Sequence, residues 1–291
     1  MRGRKIGVVY LTLVPLCTLI SAFAFGHLPP AVYLPVWILN SCLMAFAAWR
    51  LGGPMLKENK SAQEKSVAVS ALLIIVAWIF ISIFFGFGPP PGNPAGWVER
   101  EAEQKTRYEI LVFAGILISV AFSILHRVLT QVSENVYSTI GITAIAIAAP
   151  LFVLNMAFWG NYLTEAFKIF TSSGTRNRPD WYLPIRELFS EVSTIEVALI
   201  YIATACFAIA FKNNGWFKSR AAKMYALFSL IGMLLDLIPS GGFEPLKVAG
   251  YFVSIPAIPF VMPYLMAIQL LLTKTISTKA IHFNEGKKNA K

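Results

Sequence analysis

Charge is scarce in this sequence: Asp, Glu, Lys and Arg make up 14% of its 291 residues, against roughly 25% in an average soluble domain. Cysteine and histidine number three each. So little charge, beside 56% hydrophobic residues, excludes disorder and an ordinary soluble fold, because a globular core cannot hide that much apolar surface. The cysteines, Cys17, Cys42 and Cys206, lie in apolar runs without metal-like spacing. That excludes a disulfide framework or a zinc site and leaves small buried hydrophobes.

Whole classes of chemistry are missing as well. There is no His-Glu-x-x-His, no Gly-x-Ser-x-Gly and no Gly-x-x-x-x-Gly-Lys-Ser/Thr, so zinc proteolysis, serine hydrolysis and phosphate-loop nucleotide hydrolysis are excluded by those routes. No lysine falls inside an apolar run, which removes a retinal-type Schiff base. His27, His126 and His282 do not place two haem ligands at one depth. No metal or cofactor is expected, no catalytic residue is assigned, and enzymatic activity is left open.

What is present is apolar length. Eight stretches read as spans: 6–26, 31–49, 66–87, 108–125, 139–163, 197–211, 224–243 and 251–272. Each approaches the 20 or so residues that a helix needs to cross a bilayer. The expected fold is all-α, a polytopic transmembrane bundle of about eight helices forming one membrane domain over 1–291. The N-terminal apolar run is too long for a signal-peptide core and reads as an uncleaved first span.

The basic residues orient it. With the N-terminus inside, the cytoplasmic segments hold Arg2, Arg4, Lys5, Arg50, Lys57, Lys60, Lys65, Arg127, Lys212, Lys218, Arg220, Lys223, Lys274, Lys279, Lys287, Lys288 and Lys291, 17 of the 25. Eight remain outside, as the positive-inside rule requires when both termini are cytoplasmic. The net charge of +10 then reflects orientation and contact with anionic lipid head groups at the cytoplasmic face, and no nucleic-acid partner is expected. A bacterial-type plasma (inner) membrane location follows, with a homo-oligomer or membrane complex left open. In the longest outer loop, residues 183–192 set Leu188 and Val192 against Glu187 and Glu191, the pattern of a short amphipathic outer helix before span six or of an extension of that span.

Acids at or below the outer surface are the candidate site. Asp236 interrupts span seven, where a carboxylate costs about 2.5–3.5 kcal/mol to insert and is a functional candidate by default; capping a broken helix end is the alternative. Glu109 opens span four and Glu196 opens span six, positions that the helix macrodipole also favours. Asn155 lies within span five, with Asn161 and Glu165 near its outer end. Pro256, Pro259 and Pro263 share one face of span eight, and each frees a carbonyl from the helical ladder. Broken helices beside an intramembrane acid occur at transporter substrate sites; a static kink is the commoner outcome and the expectation here.

One short run resembles a known family. Pro179-Asp180-Trp181-Tyr182 is similar to the Pro-Glu-Trp-Tyr signature of cytochrome b and its split subunit IV, which lies on the outer side between the fifth and sixth helices. The resemblance implies that Asp180 is a quinol-site acid. The family's four haem histidines on helices two and four have no counterpart here, since only His126, at the end of span four, comes near either helix. The expected function is therefore binding or translocation of a small solute or ion through an outward-facing polar site. A membrane-embedded enzyme or quinol-reactive module, or a structural subunit of a larger complex, is the alternative.

Overall fold

The structure, a computed structural model, describes residues 2–132, 136–174, 182–238 and 243–273. Among these residues all regular secondary structure is helical, without strands. In chain order the helices are α1 (Arg2–Ala24), α2 (Pro30–Gly52), α3 (Ala62–Ile81), the single turn α4 (Phe84–Phe87), α5 (Pro94–Glu99), α6 (Glu101–Val132), α7 (Val136–Ala157), α8 (Leu163–Ser172), α9 (Tyr182–Asn213), α10 (Ser219–Asp236), α11 (Glu244–Ser254) and α12 (Val261–Leu272). A π-helical turn, Phe158–Tyr162, joins α7 to α8.

Six of these stretches are long and apolar enough to cross a membrane: Arg4–Ala24, Pro30–Leu56, Ala62–Phe87, Glu101–Val132, Val136–Ser172 and Tyr182–Asn213. The pair Glu244–Ser254 and Ile258–Leu272, bent by 69°, makes a seventh if taken as one span. The sequence suggests eight. The difference is α10, whose 18 residues include Arg220, Lys223 and Asp236 and so carry three charges.

Local chemistry sets the helix starts. Ser61 and Glu64 form a capping box: the Glu64 amide donates to Ser61 Oγ at 3.2 Å and the Ser61 amide donates to Glu64 Oε2 at 3.0 Å. Pro30 and Pro94 occupy first helical positions, where a missing N–H goes unmissed. Pro184 falls in the first turn of α9, where it is tolerated, and no Gly or Pro follows before Asn213. Residues 183–192 are therefore the opening turns of one 32-residue helix, not a separate outer helix. The short amphipathic helix ahead of this span is instead α8, continuous with α7 through the π turn.

Successive long helices pack as neighbours, α1 on α2, α2 on α3, α3 on α6, α6 on α7, α7 on α9 and α9 on α10. α12 returns against α3 and also touches α1, α2, α9 and α10. Hydrogen bonds stitch the early helices together. Tyr264 Oη donates to the Leu11 carbonyl at 2.8 Å, and Tyr10 Oη to Asn40 Oδ1 at 2.6 Å. Small residues let backbones approach: at Gly141 in α7 a Cβ would come within 2.8 Å of the Phe207 ring of α9. Burial grades across the bundle, from 22% of the apolar window in each of α1 and α2 to 67% in α9. The first two helices thus present most of their apolar surface outward, as lipid contact requires.

Candidate functional site

At the bundle end where α1, α3 and α7 finish and α6 and α9 begin, a cavity of about 260 Å³ is lined by residues of α1, α4, α6, α7, α9 and α11. Arg107, Tyr108 and Leu111 supply one wall from α6, Asn155 another from α7, and Ser193 a third from α9. Trp159 reaches it from the π turn, an insertion of the kind often found at functional sites. The remaining side is the break between α11 and α12, residues 255–257. Pro256 sits in that break, Pro259 in the 3-10 turn after it, and Pro263 in the first turn of α12.

Behind this wall lies a polar pair. Asn155 Nδ2 donates to Glu196 Oε1 at 2.9 Å, joining α7 to α9. Both side chains are shut off from solvent, Asn155 at 1% exposure and Glu196 at 0%. Asn155 Oδ1 and Glu196 Oε2 have no hydrogen-bond partner among the described residues. Asp236 is within electrostatic reach of Glu196 and of Tyr201. It is the last residue of α10, and neither of its oxygens has a partner among the described residues. A carboxylate at a helix C-terminus opposes the macrodipole, so Asp236 caps nothing there.

The structure thus brings together three of the residues singled out in the sequence: Asn155, Glu196 and Asp236. Glu196 is not a helix-opening acid, because α9 begins at Tyr182 and places it mid-helix. Glu109 is exposed on α6, away from the cavity. Asn161 is exposed. Glu165 accepts from Lys105 at 2.8 Å and from Lys168 at 3.2 Å in a surface network that also holds Glu101. Asp180 and its Pro-Asp-Trp-Tyr run reach into residues 175–181, and Asp180 lies outside the described residues.

Sequence reasoning missed Arg107. It stands one residue before the predicted start of span four and so counts as a loop charge, yet it is 6% exposed. Its Nη2 donates to the Phe87 carbonyl at 3.1 Å, and its guanidinium stands 5.6 Å and 5.5 Å from the Phe84 and Phe87 ring centroids. Nε has no partner, and no carboxylate among the described residues lies within ion-pair distance. Glu103, one turn earlier, is within electrostatic reach but sits on His27 Nε2 at 2.8 Å. The available signal was periodicity: residues 104, 107, 108 and 111 fall on one helical face, and all four are buried.

A larger cavity, about 770 Å³, lies at the opposite end and is lined by residues of α1, α10 and α12. Its ionisable residues, Lys218 and Tyr225, are not buried, so the smaller cavity has the stronger chemistry. Among the described residues no group of three or more His, Cys, Asp or Glu side chains is arranged to hold a metal ion. No protein-family model, curated protein or solved structure matches the chain.

Proposed function

We propose that this membrane protein crosses the bilayer eight times with both termini at the cytoplasmic face, and binds or moves a small solute through the cavity beside Asn155. The observation that carries the reading is the cavity itself, closed on one side by a broken helix and on another by a buried amide–carboxylate pair. Small-molecule sites combine such mostly apolar walls with a few convergent polar groups. Irregular backbone at membrane depth is tolerated where it lines a cavity.

Two features support counting α10 as a crossing. It runs 18 residues along α9, about 27 Å at 1.5 Å per residue, close to the ~30 Å hydrocarbon core. Its cations Arg220 and Lys223 stand at the end that the positive-inside rule assigns to the cytoplasm, and Asp236 at the other.

The test is thermal unfolding of the purified protein in neutral detergent against a panel of neutral, cationic and anionic small solutes. At least one is expected to raise Tm in the parent and to lose that effect in Asn155→Leu. Stabilisation by none of them, or by all of them equally in both proteins, overturns the site.

A further inference from the structure

We propose that the cavity takes a ligand bearing a single oxyanion on an apolar body, with Arg107 binding the charge; this rests on the cavity being a solute site. Arg107 is the one wall residue of the cavity that carries a fixed charge. A buried guanidinium is ordinarily matched by a carboxylate, because an isolated charge in a low-dielectric setting is expensive. Here its described partners are a backbone carbonyl and two aromatic rings. Those contacts hold the side chain in place without neutralising it. The unpartnered Nε belongs to a fork whose planar donors fit a carboxylate or phosphate oxygen pair.

The opposite walls define the rest of the ligand. Leu19, Trp159 and Ile255 there are largely apolar, so the body attached to the anion is apolar too. Asn155 belongs to the lining, and its Oδ1 has no partner among the described residues, so a donor on the ligand suits that wall. The cavity falls just below the range of about 300–1,000 Å³ usual for small-molecule sites, which limits the body to roughly one ring or a short chain. A single cation with no further charge in the wall selects a monoanion over a dianion.

The same oxyanion can arrive from two sources. An organic acid would enter from water. The head group of an anionic lipid would enter sideways between α1 and α11, where the lining residues Phe23 and Tyr251 are exposed on the outer surface.

The experiment compares benzoate with its neutral isostere benzamide, by calorimetry on the full chain in neutral detergent. Benzoate is expected to bind at least tenfold tighter. Arg107→Gln should erase that preference, and Arg107→Lys should keep it with several-fold weaker binding. In parallel, Tm is measured in nanodiscs of phosphatidylcholine with and without phosphatidylglycerol. A Tm rise with the anionic lipid that Arg107→Gln abolishes assigns the site to a lipid head, and the benzoate preference assigns it to an organic acid. Equal binding of benzoate and benzamide, with no Arg107-dependent lipid effect, overturns the charge assignment and leaves the solute reading standing. Binding of no solute, with no Arg107-dependent lipid effect, overturns both. If Arg107→Gln does not fold, the benzoate-to-benzamide ratio in the parent and in Arg107→Lys decides.

Discussion

Asn155 and Glu196 meet across the α7–α9 interface at 2.9 Å, with no solvent reaching either. The bond satisfies one oxygen of Glu196 and one end of the Asn155 amide, and it leaves the other end of each without a partner among the described residues. A purely structural pair would close on itself. This one has acceptor capacity to spare beside a cavity that Asn155 also lines.

The pair makes a measurable coupling. A double-mutant cycle over Asn155→Ala and Glu196→Ala, read by SDS-induced unfolding in mixed micelles, should give a favourable interaction of about 0.6–1.7 kcal/mol, the range for interhelical bonds in membranes. Asn155→Ala alone should destabilise more than the double variant, because it leaves a buried carboxylate without its donor. A coupling of zero would mean that the two side chains do not meet.

Tyr201 crosses the face of α10 at Gly232 and donates to the Val253 carbonyl of α11 at 3.0 Å. A Cβ at position 232 would stand 2.7 Å from the tyrosine ring. Gly232→Ala should therefore cost about 1–3 kcal/mol, as overpacking does. Tyr201→Phe removes only the hydrogen bond and should cost about 0.5–1.5 kcal/mol. If Gly232→Ala proves neutral in the same unfolding assay, α10 does not pack against Tyr201.

Apolar run length made the helices legible before any coordinates, because one helix across a bilayer demands a run that little else produces. The prolines of the last span marked where it bends, although a static kink is the simpler expectation from their spacing and the helix is interrupted there. Charges near the membrane boundary were harder. Arg107 and Glu109 are two residues apart, and sequence reasoning took the acid as the site residue and left the arginine in the loop. A helix turns about 200° over two residues, so one faces the cavity and the other faces out. Which one does so depends on where α3 and α4 pack. Glu196 was misread as helix-opening because the outer extension of α9 carries charges that look like a loop. The partnership of Asn155 with Glu196 joins residues 41 apart in sequence, and no local pattern sets that register.

The eight-crossing topology predicts which loops are accessible. In a background with Cys17, Cys42 and Cys206 replaced by serine, Asn59→Cys and Lys218→Cys should be protected from a membrane-impermeant maleimide in intact cells. Gly92→Cys should react. These three positions are exposed and hold no cap bond, so the substitutions leave the helix starts intact. Labelling of Lys218→Cys from outside would place α9 and α10 in the opposite sense and remove one crossing.

The acids grouped together in the sequence should separate in their effects. Asp236→Asn keeps the side-chain shape and removes a half-buried charge that has no described partner. Stability should stay within about 1 kcal/mol of the parent or rise, since an unpaired buried carboxylate disfavours the folded state. Asp236 stands within electrostatic reach of Glu196, so its loss should change solute-dependent stabilisation: a rise for an anionic solute, whose repulsion is relieved, and a fall for a cationic one. Glu109→Gln, on the outward face of α6, should leave both properties unchanged. Unchanged solute-dependent stabilisation in Asp236→Asn would remove that residue from the site, and a change in Glu109→Gln alone would move the site to the other face of α6.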